Sequence, residues 1–286
     1  MKRLIFGCGY LGLPTAKRWV AAGDQVWAVT RGSGRISELL AAGVEPLLGD
    51  VTQPDTLPEL PAVDSVLFAI GMDRSKYSDI RMVYVDGLQH VLERLPAATG
   101  QLIYVSSTGV YGDSAGQWLD ENSEARPNRA GGHACLEAES LIRNSQFANR
   151  ATILRFAGIY GGDRIPFRHA IENRDWSQLS GNGFLNLIHV ADGARIIQSV
   201  AEQKLFGETF LVSDGNPVLR KDFYDALAAG LGTGPIPWLD FVTEAEAATR
   251  NRGDKRISNL KLRQRVGDDF LVPDYLAGLR ATLNPD

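Results

Sequence analysis

Short apolar runs alternate with longer stretches of helical periodicity through the first half of the chain. Apolar runs bounded by glycine or polar residues predict buried strands, and the amphipathic stretches between them predict helices. Strands that alternate with helices indicate right-handed crossovers and a parallel sheet covered on both faces. The fold class is therefore α/β, with a doubly wound parallel sheet. The predicted strands lie at 3–7, 25–30, 44–50, 65–71 and 101–107 and from 151, and the predicted helices at 13–23, 35–43, 77–95 and 133–145.

The second half has a less regular pattern of short strands, helices and glycine turns. We predict a glycine turn, a short strand and a helix within 181–202, a strand at 208–214, an amphipathic helix at 219–232, a loop at Pro235 and Pro237, and a charged helical tail from about 243.

The sequence GCGYLG lies between the first predicted strand and the first predicted helix. In a dinucleotide-binding loop, Gly7 would allow the tight turn, Gly9 would let the backbone approach a pyrophosphate, and Gly12 would let helix and strand pack closely. Tyr10 and Leu11 stand between them, where the helix amides begin to face the phosphates. A turn that merely needs glycines is the alternative, but the strand–loop–helix context favours dinucleotide binding.

The end of the second strand indicates which dinucleotide is bound. Many NAD-binding proteins place a carboxylate there, whereas this chain has Thr30 followed by Arg31. No carboxylate repels a 2′-phosphate, and Arg31 can pair with one, so we expect NADP(H), with NAD(H) as the alternative. The alternative is that Arg31 is simply a solvated loop residue. Asp50 ends the third strand and can accept a hydrogen bond from adenine, or it can cap a turn.

Composition limits the classes of partner. The chain has 286 residues, a net charge of -4 and scattered basic residues, which argues against a nucleic-acid groove. No apolar stretch is long enough for a membrane span. Cys8 and Cys135 have no metal-binding or redox spacing, so we expect no metal and a cytoplasmic protein.

Several further motifs occur in the order typical of one family. The chain resembles the extended short-chain dehydrogenases/reductases, in particular the NAD-dependent epimerase/dehydratase group, over nearly its whole length. The motifs that carry the resemblance are GCGYLG, GDVT (49–52), FAIG (68–71), YVSSTGVYG (104–112), LRFAGIYG (154–161) and NLIHVADGARII (186–197).

The resemblance implies a Rossmann domain at 1–160, with 185–202 packing back onto it. A smaller C-terminal lobe for the substrate would comprise 161–184 and 203–286. The partner implied is a small molecule such as a nucleotide sugar, and a homodimer is allowed by analogy only. The family's turn after the fourth strand lines the cofactor, which adds Ala69, Ile70 and Gly71 to the expected cofactor-binding residues.

In this family the chemistry uses a hydroxyl residue and a Tyr-x-x-x-Lys pair. The hydroxyl position falls on Ser107. The tyrosine and lysine positions fall on Gly131 and Cys135, in a frame pinned by Pro127 and Gly132. The pair is therefore missing, although a phenol near pKa 10 ordinarily needs a nearby cation to act at neutral pH.

Three explanations compete. In the first, the site has been rebuilt: Ser107 polarises the reacting oxygen, and Tyr111 or His133 moves the proton as hydride passes between the nicotinamide and a carbonyl or alcohol. His133 on a solvent-facing helix turn is an equal alternative. Cys135 as a thiolate is less favoured than Cys135 as a small buried filler. In the second explanation, the protein binds NADP(H) without turnover, as a sensor or scaffold. In the third, cofactor binding is lost as well, against which the intact glycine loop argues.

Overall fold

The computed structural model describes residues 1–73, 75–238 and 253–283. Its centre is a seven-stranded sheet in which every neighbouring pair is parallel. The spatial order is β11-β7-β5-β4-β1-β2-β3. Strands β2 and β3 are therefore added on one side of β1, and β4 and the later strands on the other side. The doubly wound parallel sheet expected from the hydrophobic pattern is confirmed. Its strands are β1 Lys2–Phe6, β2 Gln25–Thr30, β3 Glu45–Leu48, β4 Ser65–Phe68, β5 Gln101–Ser107, β7 Ala151–Phe156 and β11 Glu208–Val212.

Both faces of this sheet are buried, as the continuous apolar strands require. Successive residues of β1 show the alternation: Ile5 packs into one core, while Leu4 and Phe6 pack into the other. Helices cover the first core with α1 and α6 and the second with α3 and α4. The helices around the sheet are α1 Gly12–Ala21, α2 Ile36–Ala41, α3 Gly87–Arg94, α4 Ala130–Arg143 and α6 Val190–Glu202.

Two helices differ from the prediction. The stretch predicted as one helix over 77–95 contains a π-helical turn at Met82–Asp86, followed by α3. The helix predicted from 133 begins earlier, at Ala130, and so includes two glycines. A Cβ at Gly132 would collide with the carbonyl oxygen of Gly109, so close packing outweighs the poor helix propensity of glycine here.

The remaining elements form small sheets and a separate apolar cluster. Strand pairs join β8 with β10, β9 with β12, and β6 with β13. Helices α5, α7 and α9 enclose the cluster. Their bounds are β6 Trp118–Leu119, β8 Gly158–Tyr160, α5 Arg168–Glu172, β9 Phe184–Leu185, β10 Leu187–His189, β12 Val218–Leu219, α7 Arg220–Leu231, β13 Arg256–Ile257, α8 Leu260–Val266 and α9 Tyr275–Leu283.

Some residues expected in the smaller lobe belong to the central sheet. Strand β11, which follows the expected boundary at 203, pairs with β7. In this position its apolar residues Phe210 and Val212 are fully buried in the core of the sheet. Leu262 of α8 also packs into the core beside α6. Part of the tail predicted as helical from 243 lies outside the described residues.

Candidate active site

The glycine loop connects β1 to α1. Gly7 has a positive φ of 90°, and a Cβ there would lie 2.5 Å from the Ala69 carbonyl carbon. A side chain on Gly12 would collide with the Gly7 carbonyl oxygen. A Cβ on Gly9 would meet no atom within 4 Å, because this glycine faces open space. The loop therefore packs tightly at Gly7 and Gly12, whereas at Gly9 there is room for a ligand to approach the backbone.

That open space belongs to a cavity of about 760 Å³ at the carboxyl ends of the central strands. Ligand sites in open α/β sheets lie at this edge, where the strand order reverses. Gly12 lies behind the loop and is not part of the lining. The sequence-predicted residues that line the cavity are Gly7, Gly9, Tyr10, Leu11, Thr30, Arg31, Asp50, Ala69, Ile70, Gly71 and Ser107.

One end of the cavity lies over β2 and β3, and we call it the adenosine end. The Arg31 guanidinium pairs with Asp73 at 3.1 Å and lies 5.3 Å from the ring centre of Tyr77. Tyr77 donates to the Asp50 carboxylate at 2.8 Å, and the Thr52 amide and hydroxyl donate to the same group. Burial opposes ionisation of Asp50, but these hydrogen bonds lower its pKa overall.

A second arginine at this end was missed from the sequence. Arg35 lines the cavity and donates from Nη1 to the carbonyl oxygen of Cys8 at 2.6 Å, within the glycine loop. It also pairs with Glu38. Arg35 lies in a short turn after β2, and no motif marks it as a loop ligand. Both arginines therefore line the same cavity as Thr30.

The opposite end of the cavity, which we call the catalytic end, is formed by Tyr84, Tyr104, Ser107 and Cys135. Ser107 is half-buried, and its Oγ accepts a hydrogen bond from the Gly109 amide at 3.0 Å. The Cys135 thiol contacts the Tyr104 hydroxyl, and burial raises the pKa of this thiol to about 11. Cys135 is therefore a neutral thiol at pH 7, in agreement with the buried-filler interpretation.

Two proposed proton carriers do not reach the cavity, so those assignments are corrected. The Tyr111 side chain is 2% exposed, its hydroxyl donates to the Asp120 carbonyl at 2.9 Å, and Arg155 donates to it at 2.7 Å. Burial raises the pKa of Tyr111. His133 is exposed on α4, because residues two apart on a helix point in roughly opposite directions and the face of Cys135 is the inner one.

A buried ion pair holds the catalytic end together. The Glu139 carboxylate of α4 receives both Nε and Nη2 of Arg155 from β7, at 2.9 and 2.7 Å. Ser106 of β5 donates to the same carboxylate at 2.7 Å. Burial disfavours the charge on Glu139, but Arg155 lowers its pKa below the ordinary value. The pair thus fixes α4 against the two strands that position Ser107.

Tyr84 and Tyr104 were also missed. Tyr104 begins the motif YVSSTGVYG, but the family resemblance assigns the active-site hydroxyl of that motif to Ser107, and it assigns no role to Tyr84. Tyr104 lies on β5 and Tyr84 on the π-helical turn, and only the packing of that turn against α4 brings the two phenols to one cavity. Alternation along β5 is the one available signal, since it places Tyr104 and Ser106 on a common side.

A second, more open cavity of about 640 Å³ adjoins the first. Ile159 and Arg164 line both cavities. The Arg164 guanidinium lies 4.7 Å from the ring centre of Tyr10, and the Tyr10 hydroxyl donates to the Gly161 carbonyl at 2.8 Å. The glycine loop and the segment that follows β8 are therefore in direct contact, with a cation at the junction of the two cavities.

The profile of the NAD-dependent epimerase/dehydratase family matches residues 4–212, which include the glycine loop, Ser107 and all seven strands of the central sheet except the start of β1. The chain belongs to the NAD-dependent epimerase/dehydratase family. The nicotinamide dinucleotide of this family fits the cavity, because the loop leaves an open cradle at Gly9 and cations outnumber carboxylates among the described lining residues. The cations are Arg31, Arg35, Lys76 and Arg164, and the carboxylates are Asp50 and Asp73.

Two full-length relatives have similar sequences. A 4-hydroxy-2-methyl-3-oxo-4-farnesyl-3,4-dihydroquinoline-1-oxide ketoreductase from Stigmatella aurantiaca is 28% identical, over 98% of this chain and 87% of that protein. Protein YeeZ of Escherichia coli K12 is 27% identical, over 96% of this chain and 98% of that protein. Among solved structures, UDP-glucuronic acid 4-epimerase from Bacillus cereus in complex with NAD is 17% identical, with a TM-score of 0.79 over 99% of this chain and 98% of that one. That likeness shows the fold.

Two classes of feature are absent from the part of the chain that the structure describes. No helix there is long and apolar enough to cross a membrane. No group of three or more His, Cys, Asp and Glu side chains there could hold a metal ion.

Proposed function

We propose that this protein is an NADPH-dependent reductase of a ketone or aldehyde. The observation that carries the proposal is the chemistry of the catalytic end. It has the hydroxyls of Ser107, Tyr84 and Tyr104, while Gly131 and Cys135 replace the family's phenol and ammonium. Reduction needs a proton donor for the carbonyl oxygen, which a neutral hydroxyl supplies.

The reverse direction needs the same kind of group in its deprotonated form. Oxidation of an alcohol, which also begins the epimerase and dehydratase reactions, requires a base that removes the alcohol proton near neutral pH. A phenol serves in that role when a cation lowers its pKa. The cations that line the cavity are at the adenosine end or beside Tyr10, and Cys135 is a neutral thiol. The ketoreductase relative supports the same direction.

The bound reduced nicotinamide would supply the hydride. The glycine loop would hold its pyrophosphate against the first amides of α1, and Ser107 would orient the carbonyl oxygen by donating a hydrogen bond. Arg31, assisted by Arg35, would pair with the 2′-phosphate and so favour NADPH over NADH. The second cavity, with Arg164 at its junction, would take the rest of the substrate, and the keto form of a nucleotide sugar or another anionic carbonyl compound suits that cation.

Calorimetric titration with NADPH and NADH, followed by a screen of carbonyl compounds for NADPH consumption, tests the proposal. We expect tighter binding of NADPH and turnover of a carbonyl substrate. Tight binding without turnover of any compound would favour the non-catalytic sensor instead. Tighter binding of NADH would remove the role given to Arg31. The two buried free thiols suit a reducing compartment, so we also propose a cytoplasmic location.

A further inference from the structure

The hydroxyl groups of the described cavity lining differ in where they lie. Four are at the adenosine end or beside the second cavity, namely Tyr10, Thr30, Thr52 and Tyr77, and Ser106 is bound to Glu139. The other hydroxyl side chains of the described lining are Ser107, Tyr84 and Tyr104, all at the catalytic end. Because Ser107 orients the carbonyl oxygen in the proposed reaction, the two phenols are the candidates for the proton donor.

The two phenols differ in how deeply they are buried. Tyr104 is 2% exposed, and burial raises its pKa well above the ordinary value. Its hydroxyl lies against the Cys135 thiol. Tyr84 is half-buried and lines the open cavity, so it can meet a substrate without displacing the core.

Tyr84 also faces the two positions at which the family's pair is missing. It packs against the apolar cluster that includes Cys135. Ile80, four residues earlier, lies 3.5 Å from the position of a Cβ on Gly131. Residues four apart share a helix face, so the face that carries Tyr84 is the one turned towards α4. The turn is π-helical, a distortion that occurs frequently at functional sites.

A backbone amide supports the Tyr84 hydroxyl. The Met72 N–H donates to its oxygen at 3.2 Å. The same N–H would stabilise the phenolate that forms when the proton leaves, which is part of what a neighbouring lysine does elsewhere in the family.

We propose that Tyr84 is the catalytic acid of the reduction, an inference that rests on the proposed reductase function. As hydride forms the new C–H bond, the π electrons of the carbonyl move to its oxygen. That oxygen takes the Tyr84 hydroxyl proton, so an O–H bond forms on the product while the phenol O–H bond breaks. The Tyr84 phenolate then regains a proton from water.

The test compares Tyr84→Phe with Tyr275→Phe. The second variant also removes a phenol hydroxyl, but from α9, outside the cavity. We expect kcat of Tyr84→Phe to fall by about 10²- to 10⁴-fold. Its NADPH affinity and unfolding temperature should stay at the wild-type values, and Tyr275→Phe should match wild type in all three. Wild-type kcat in Tyr84→Phe, or a large loss in Tyr104→Phe alone, would overturn the proposal.

A second readout does not depend on turnover. With 3-fluorotyrosine incorporated, the fluorine resonance of position 84 should shift on titration with NADP⁺, while that of position 275 should not. An unshifted resonance at position 84 would place Tyr84 away from the cofactor and overturn the proposal. If the wild type binds NADPH but reduces no carbonyl compound, the proposed function itself fails. If the wild type is active and Tyr84→Phe keeps its activity, only the role of Tyr84 fails.

Discussion

At the scale of single residues, this site combines an intact cofactor loop with a changed catalytic end. Gly7 and Gly12 are required by close backbone contacts, and Gly9 by the open cradle in front of it. Gly131 and Cys135 stand where the family resemblance places a tyrosine and a lysine. A neutral thiol cannot lower the pKa of a phenol as an ammonium does. The reductase activity proposed above therefore depends on neutral hydroxyl groups.

Ser107→Ala tests the retained hydroxyl. We expect NADPH-dependent turnover to fall by at least about 10²- to 10³-fold, because a hydrogen bond to the developing oxyanion is lost. NADPH affinity, measured by calorimetry, should change little. Ser177→Ala, on an exposed turn outside the cavity, is the matched control. Unchanged turnover in Ser107→Ala would rule out the assigned role.

Arg31→Ala tests cofactor selection. We expect NADPH to bind about tenfold more weakly, since one charge-assisted hydrogen bond to the 2′-phosphate is lost from a partly exposed site. NADH binding should be unaffected, because NADH lacks that phosphate. Arg94→Ala removes a surface arginine far from the cavity and should affect neither. An equal loss for both cofactors would point to the ring contact with Tyr77 instead of phosphate recognition.

At the scale of elements, α4 is held to the sheet by charge as well as by apolar packing. Glu139 is fully buried and bound to Arg155 and Ser106. In the sequence, Glu137 and Glu139 look alike, since both are acidic residues of one helix. Glu137 is instead exposed and pairs with Arg81 on the surface. Only the packing of α4 on β5 and β7 distinguishes the two.

Glu139→Gln should lower the free energy of unfolding by about 3–5 kcal/mol, because Arg155 would keep its buried charge without the partner. The matched variant Glu137→Gln should cost less than about 1 kcal/mol. Denaturant unfolding measures both. A similar cost for the two variants would mean that burial of the pair contributes nothing specific.

The same pair makes stability depend on pH. The pKa of Glu139 is lowered in the folded state, so its contribution is fully present above the ordinary glutamate value of about 4.3. It is lost as pH falls through the folded-state pKa. The wild type should therefore lose stability below about pH 4.3 more steeply than Glu139→Gln does. Parallel curves for the two proteins would contradict the assignment.

At the scale of the whole molecule, a buried carboxylate helps to hold the C-terminal segment against the Rossmann core. Asp192, in the first turn of α6, is fully buried. Its carboxylate accepts the amides of Leu271 and Val272 at 2.7 and 2.9 Å. In the sequence, Asp192 is only an acidic residue near the start of the helix predicted within 181–202, where a carboxylate interacts favourably with the helix dipole. The contact with residues eighty positions away explains why this acid is buried.

Asp192→Ala should release the segment around Leu271. Two hydrogen bonds to a buried, charged acceptor are lost, so we expect a loss of stability of about 2–4 kcal/mol. Faster hydrogen exchange at Leu271 and Val272 would locate the change. Asp222→Ala removes an exposed first-turn acid from α7 and is the control. Unchanged exchange in Asp192→Ala would show that the segment is held by its apolar contacts alone.

The sequence by itself determined the sheet and the cofactor loop, because both depend on local signals. Apolar runs of strand length and glycines at fixed spacing act within a few residues, so they can be read without knowing the fold. The family motifs identified Ser107 and the missing pair for the same reason. The division into two domains stays a prediction.

The tertiary structure alone decided which side chains surround the reacting atoms. Tyr84 and Arg35 come to the cavity from helical turns separated from the loop by many residues, while Tyr111 and His133, close to Ser107 or Cys135 in sequence, are directed elsewhere. Strand β11 joined the central sheet through pairing with β7, although its place in the chain suggested the smaller lobe. Proximity in space depends on how helices and strands pack, and a linear pattern carries no direct record of those long-range contacts.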